Sequence, residues 1–260
     1  MDLPARRPSS SGRAFAWGGA LLFAVSLSYF LFTYAFTFRE TEQTSPALAI
    51  GVDLALFTVF ALHHSVFARE RVRAWVARTV PVTLERSFYV WVASLLLMGV
   101  CALWQPVAGV AWTIAGPAGW LFYLLMATGV WLSVRSAGVI DIWELAGVRQ
   151  IEGRPEGRPL PASDATSVEA DLQVGLSKTD GPFKTDGPYG LVRHPIYLGW
   201  FLMVFGVPTM TGTRLAFALV SCGYLLIAIP LEERTLRRTT AGKYDAYMRL
   251  VRWRIFPGLY

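Results

Sequence analysis

Apolar residues in this chain are gathered into runs long enough to cross a bilayer, and the charge is collected between them. Ala14 to Phe38 is 25 residues without an Asp, Glu, Lys or Arg. At about 1.5 Å per residue a helix of that length crosses the roughly 30 Å of a hydrocarbon core. Pro46 to Ala68, Ser87 to Trp104 and Gly116 to Val134 read the same way, and the last third holds a pair, Pro195 to Thr211 and Leu215 to Leu231. The pattern predicts an all-α, polytopic integral membrane protein with about six transmembrane helices. The first run is too long for the apolar stretch of a secretory signal and lacks a small-residue cleavage site, so it is expected to stay as an anchor.

The polar stretches divide the chain further. Residues 1–13 read as a disordered basic tail, 14–134 as a four-helix region, 135–187 as a cytosolic loop, and 188–260 as a C-terminal helical hairpin with its tail. Within the loop, 152–186 is an insertion rich in Gly, Pro, Ser and Asp. It contains a tandem near-duplication, Lys178-Thr179-Asp180-Gly181-Pro182-Phe183 followed by Lys184-Thr185-Asp186-Gly187-Pro188-Tyr189. Only the second copy abuts the next helix. Arg69 to Arg78 carries Val72, Trp75 and Val76 at helical spacing among arginines, the pattern of an interfacial helix.

A 54% hydrophobic composition argues against a soluble domain, and the net charge of +6 has a better explanation than nucleic acid. Of the 24 Lys and Arg, 22 fall in alternate inter-helix segments. Three lie in the N-terminal tail, five from Arg69 to Arg86, seven from Arg135 to Arg193 and seven from Arg234 to Arg254. Only Arg39 and Arg214 fall on the other side. The positive-inside rule then predicts that both termini and all these segments are cytosolic, with the active site on that face of a bacterial inner membrane. Cys101 and Cys222 fall inside predicted spans, which supports neither a disulfide framework nor a metal cluster. Three His without Cys or Glu at ligand spacing likewise predict no metal site.

The candidate chemistry is concentrated in Gly187-Pro188-Tyr189-Gly190-Leu191-Val192-Arg193-His194-Pro195-Ile196-Tyr197. Proline suits the first turn of a helix and disfavours helix in the residue before it, so His194 is placed at a helix start with Tyr197 one turn in. Free N–H groups there attract a carboxylate or phosphate. The last two apolar runs are joined near Gly212 and Thr213, so the pair must be antiparallel, and its far end brings Glu232 and Glu233 back beside His194. Tyr244 and Tyr247 follow in a basic segment. Such a group suits a ligand carrying both a carboxylate and a positive charge, and S-adenosylmethionine fits that description. Alternatively, Glu232 and Glu233 pair with Arg234, Arg237 or Arg238 on a solvated face. Asp53 lies near the outer end of the second helix and is expected to be hydrated. His63 and His64 lie at the inner end of that helix, and His64 is the candidate on the substrate side.

Gly-Pro-Tyr, Arg-His-Pro-Ile-Tyr and Glu-Glu-Arg-Thr-Leu together resemble the membrane methyltransferase superfamily of isoprenylcysteine carboxyl methyltransferases and phospholipid N-methyltransferases. The resemblance implies an S-adenosylmethionine site lined by Tyr189, His194, Pro195, Ile196, Tyr197 and Glu233, with Phe183 and Lys184 just upstream; Glu232 joins this cofactor-binding set as the other carboxylate of the pair. Glu233 and His194 become the catalytic candidates. His64-Ser65-Val66-Phe67-Ala68-Arg69, Glu85-Arg86-Ser87-Phe88-Tyr89-Val90, Trp104-Gln105-Pro106, Gly147-Val148-Arg149-Gln150 and Pro208-Thr209-Met210-Thr211 are similar to the methanethiol S-methyltransferase branch. That branch implies methyl transfer to a small thiol, methanethiol giving dimethyl sulfide. Two other expectations stand beside it: a phospholipid amine or prenylcysteine-like lipid acceptor on the same fold, and a non-catalytic membrane scaffold that recruits partners through its basic loops. Ile229 and Pro230, where isoprenylcysteine enzymes carry an Arg, weigh against a prenylated carboxylate.

Overall fold

The computed structural model describes residues 9–39, 46–67, 72, 75–152, 185, 187–240 and 242–260. Among the described residues, five helices are long and apolar enough to cross a membrane: α1 (Ser10–Ala35), α2 (Pro46–Phe67), α3 (Glu85–Leu103), α4 (Pro117–Ile140) and α8 (Gly212–Thr239). Two single turns, α5 (Ile142–Leu145) and α6 (Arg149–Glu152), follow α4, and α7 (Pro195–Phe205) and α9 (Lys243–Leu250) flank α8. The protein is an all-α polytopic membrane protein. Apolar side chains point outward as well as inward, among them Leu21 and Phe32 of α1, Leu54 and Leu62 of α2, and Trp120, Leu121, Leu124 and Trp131 of α4. Helices apolar on both sides are those that meet lipid on one and protein on the other.

Three expected boundaries move. α1 begins at Ser10 rather than Ala14, because the Ser9 hydroxyl accepts the Gly12 N–H at 3.1 Å and caps it. Residues 10–13 are therefore helix rather than tail. The fifth run, expected as a span from Pro195 to Thr211, is helical over only 11 residues. Pro208 and the β-branched Thr209 and Thr211 end it, and β2 (Thr209–Thr211) pairs antiparallel with β1 (Val110–Thr113). The connection between the last two helices is thus Gly206 to Thr211, and Gly212 already belongs to α8. Finally, α8 continues past Leu231 to Thr239, so Glu232 and Glu233 lie within a helix. Most of the expected interfacial helix at 69–78, the tandem repeat and the bulk of the insertion lie outside the described residues.

Aromatic packing orders the helices. Phe217 of α8, fully buried, meets Phe30 and Tyr34 of α1, Phe57 of α2 and Trp104 after α3. Cys101 and Cys222 fill the same cluster. Phe57 also meets Tyr224, whose hydroxyl lies 3.2 Å from Ser65 Oγ, so α2 and α8 run parallel. Gly19 beside Trp91 and Phe38 beside Trp104 make α1 and α3 parallel too. One face of the bundle consequently holds the starts of α1, α3 and α7 with the ends of α2, α4 and α8.

Arg214 and Asp53 at the opposite face each find long-range partners. Arg214 donates from Nε to Tyr34 O and from its two terminal nitrogens to Thr209 O and Ala35 O, so its buried guanidinium closes the open end of α1. Asp53, expected to be hydrated, is only 1% exposed, and its Oδ1 accepts the Gln105 N–H at 2.7 Å.

α4 and α7 pack through a seam of small residues. A Cβ on Gly129 would lie 2.5 Å from both the Gly199 carbonyl oxygen and the Met203 nitrogen, and Gly206 meets the backbone of Met126. Backbones approach so closely only where side chains are absent. Gly129→Ala is therefore expected to destabilise the fold by about 1–3 kcal/mol, the usual cost of overpacking. Gly51→Ala, with nothing within 4 Å, serves as the neutral control. Thermal unfolding in detergent reads both; equal melting temperatures would contradict the seam.

Candidate functional site

Pro195 opens α7 and leaves His194 in a non-helical conformation as its N-cap. Backbone pairing to the C-terminal segment holds this entry in place: the Arg193 N–H donates to Trp253 O at 2.9 Å and the His194 N–H to Arg254 O at 2.8 Å. The antiparallel return of α8 sets Glu232 and Glu233 against them. α9 follows and turns Tyr244 and Tyr247 inward, where they pack with Tyr189, Leu236, Ile140 and Val251. The Tyr247 hydroxyl donates to the Tyr189 carbonyl at 2.8 Å, which ties the Gly187–Gly190 turn to α9.

Glu233, 4% exposed, is the hub. Its Oε1 accepts Arg193 Nε at 2.7 Å and the Tyr244 hydroxyl at 3.3 Å, with His194 Nε2 at 3.4 Å, and its Oε2 accepts Arg254 Nε at 3.0 Å. Arg193 also donates to the carbonyls of Val251 (3.0 Å) and Arg252 (2.6 Å). A carboxylate taken out of water needs such compensation. Glu232 faces the other way, accepting the Tyr197 hydroxyl and lying 3.6 Å from His194 Nδ1. The His194 and Tyr197 rings stack, 5.4 Å apart and 5° from parallel. The result is a patch of aromatic faces edged by a carboxylate, suited to a cation.

Burial lowers the pKa of His194 from the ordinary histidine range, and Arg193 and Arg254 push the same way. The hydrogen bond and charge of Glu233 oppose this without reversing it, so the ring is neutral at physiological pH. Burial raises the phenols of Tyr189, Tyr244 and Tyr247, keeping them protonated donors.

Of the sequence-predicted residues, Tyr189, His194, Pro195, Ile196, Tyr197, Glu232 and Glu233 come together here. Phe183 and Lys184 lie outside the described residues. His64 stands apart: its hydrogen-bond and ring partners are Tyr89 and Phe60, not the Glu pair. Glu233 pairs with Arg193 and Arg254, Glu232 lies against Tyr197 and His194, and Arg237 binds Asp245. Arg193 and Arg254 were missed as site residues. Arg193 sat within the motif and carried a local signal, whereas nothing near Arg254 in sequence connects it to Glu233.

The chain is 37% identical over 211 residues to the methanethiol S-methyltransferase of Crocosphaera subtropica, covering 81% of this chain and 76% of the relative. It is 32% identical over 251 residues to methanethiol S-methyltransferase 2 of Bradyrhizobium diazoefficiens, covering 91% and 90%. The chain belongs to the methanethiol S-methyltransferase family. It is a methyltransferase of that membrane superfamily. Similarity extends to nurim of Rattus norvegicus, 31% identical over 203 residues, 75% of this chain and 71% of the relative. No family model matches, and no solved structure matches. In this methyltransferase the fold brings the segments 187–197 and 232–236 together.

Two consequences are measurable. Removing Arg193 leaves Glu233 with one guanidinium fewer in a buried setting, so Arg193→Ala is expected to cost about 3–5 kcal/mol. Arg254→Ala should cost less, because Arg254 is one-third exposed; thermal unfolding in detergent ranks the two. Because His194 is neutral when folded, the unfolded chain binds more protons below its ordinary pKa of about 6.5. The stability this site contributes is present above that pH and lost as pH falls through it. His194→Gln should flatten the acid side of the melting-temperature profile.

Proposed function

We propose that this methyltransferase transfers a methyl group from S-adenosylmethionine to a small thiol, methanethiol, giving dimethyl sulfide at the cytosolic face of a bacterial inner membrane. The observation that carries the proposal is the convergence of His194, Tyr197, Glu232 and Glu233 at one end of the α7–α8 hairpin, in a chain whose relatives bear the name methanethiol S-methyltransferase. The orientation rests on charge: 22 of 24 Lys and Arg belong to the segments on the His194 face or leading into it. Both termini are then cytosolic.

The residues fit such a donor. Glu232 and the stacked His194 and Tyr197 rings suit a positive charge, and Arg254, the more exposed guanidinium, suits a carboxylate. When bound, S-adenosylmethionine supplies a methyl group already activated on a sulfonium. The protein's part is placement and exclusion of water. Glu233, engaged by two guanidinium groups, holds the floor of the site and fixes His194 against it. Tyr189 and Ile196 wall it on the α9 side, and Phe183 and Lys184 are proposed contacts from upstream. His64 is proposed to act on the acceptor side.

Full-length protein in detergent, given methanethiol and S-adenosylmethionine, should release dimethyl sulfide into the headspace. Labelled methyl recovered instead in lipid extracts would assign the acceptor to a phospholipid amine or another lipid. Failure to bind S-adenosylmethionine calorimetrically would favour a scaffold. His194→Ala and Glu233→Ala should each abolish transfer while the protein still inserts in membranes; normal activity in both would sink the site assignment. Glu232→Gln should weaken S-adenosylmethionine binding about tenfold, a charge-assisted contact of about 1.4 kcal/mol or more.

A further inference from the structure

Of the two guanidinium groups on Glu233, Arg254 is the one with donors left over. Arg193 is buried, and its Nη1 also serves the carbonyls of Val251 and Arg252. Arg254 donates from Nε to Glu233 Oε2 at 3.0 Å and from Nη1 to the Tyr260 hydroxyl at 3.2 Å, and its Nη2 has no partner among the described residues. The Arg254 side chain is 33% exposed, against 6% for Arg193. One carboxylate thus faces two guanidinium groups beside a neutral His194, which leaves positive charge in surplus at the exposed, Arg254 end.

The segment after Arg254 folds back to hold that charge in place. It turns at Gly258, whose φ of +83° suits glycine. The Tyr260 backbone oxygen then accepts the N–H groups of Arg254, Ile255 and Phe256 at 2.9, 3.0 and 3.1 Å, and the Tyr260 N–H donates to Phe256 O at 3.0 Å. Phe256 meets Phe201 of α7 edge-on at 5.3 Å, and Tyr260 packs with Tyr197 against the cluster of Val192, Leu198 and Ile229. The Tyr260 ring is thereby set beside the guanidinium, 5.1 Å from its centroid. Because the phenol oxygen accepts from Nη1, its own hydrogen is released to donate elsewhere. Nη2–H and the Tyr260 O–H are therefore two neighbouring donors, one of them charged, without an acceptor among the described residues. Such a pair suits a carboxylate.

We infer that Arg254 and Tyr260 form the anion-binding end of the site and take the carboxylate of the methyl donor's amino acid group, Arg254 through Nη2–H and Tyr260 through its hydroxyl. This rests on the proposed use of S-adenosylmethionine and names the group of it that the C-terminal segment reads. The site then has two ends, with the His194 ring between them: Glu232 lies at Nδ1 and Glu233 at Nε2. Glu232 and Tyr197 meet positive charge on one side. Arg254, held by Glu233, meets negative charge on the other. A sulfonium that also carries a carboxylate matches both ends, and a sulfonium without one matches a single end. Tyr260 has a second part as a positioning residue, since its ring and hydroxyl keep the exposed guanidinium from turning out into water.

The test is calorimetric titration of full-length protein in detergent with S-adenosylmethionine and with decarboxylated S-adenosylmethionine, which keeps the sulfonium and an amine but lacks the carboxylate. The wild type should bind the decarboxylated compound about a hundredfold more weakly, the loss of two charge-assisted hydrogen bonds. Tyr260→Phe keeps the ring beside Arg254 and removes only the hydroxyl. It should weaken S-adenosylmethionine binding about tenfold and leave the affinity for the decarboxylated compound unchanged. A merely structural tyrosine would move both affinities together, and that result overturns the assignment, as does wild-type affinity for S-adenosylmethionine in Tyr260→Phe. Should the variant bind neither compound, the wild type decides: near-equal affinities overturn the anion site, and a hundredfold gap upholds it. Wild-type protein that binds neither compound overturns the use of S-adenosylmethionine and the anion site with it, whereas wild-type protein that binds both equally overturns the anion site alone.

Discussion

A carboxylate buried at the end of a membrane helix has to be neutralised, and most of the site follows from how Glu233 is. Its charge is matched by Arg193, immediately before α7, and by Arg254, twenty-one residues further along the chain. Two guanidinium groups from different segments converge on one carboxylate only if the hairpin entry, the end of α8 and the C-terminal segment are brought together. The backbone pairing of Arg193 and His194 with Trp253 and Arg254 does this, and it leaves His194 neutral with its ring stacked on Tyr197. A buried ion pair is a poor source of net stability but a strong one of specificity, because any other arrangement strands a charge.

The second constraint is close packing. α7 is too short to cross a bilayer, yet it must hold His194 and Tyr197 in register with α8. Its seam with α4, where Gly129, Gly199 and Gly206 admit backbone against backbone, gives it a rigid support. The β1–β2 ribbon closes the opposite end. Phe217 and its ring neighbours fill the space between, and Arg214 seals the end of α1. The bundle is thus fixed at one end by aromatic packing and hydrogen bonds, and at the other by an ion-pair network that also carries the candidate chemistry.

The local physics of the chain carried much of this. An apolar run long enough to span a bilayer is legible because hydrophobicity and length are properties of the run itself, and three of the five long helices fall within a few residues of the expected spans at both ends. The hairpin placed His194 beside Glu232 and Glu233 correctly, since a short connection leaves antiparallel packing as the available arrangement. Hydropathy misjudged Pro195 to Thr211, because Thr209 to Thr211 is apolar enough to extend a run while its β-branched residues pair as a strand. It also misjudged Asp53, whose partner is a backbone N–H fifty-two residues away.

By itself, then, the sequence determined that the chain lives in a membrane, where its apolar runs lie, where its positive charge gathers, and which short motifs hold clustered polar side chains. Each of these depends on neighbouring residues alone. The tertiary structure decided which charges meet: that Glu233 belongs to Arg193 and Arg254 rather than to the arginines beside it, and that His64 and His63 both face Tyr89. Those outcomes depend on distances between residues far apart in the chain, and burial gives each of them its energetic weight.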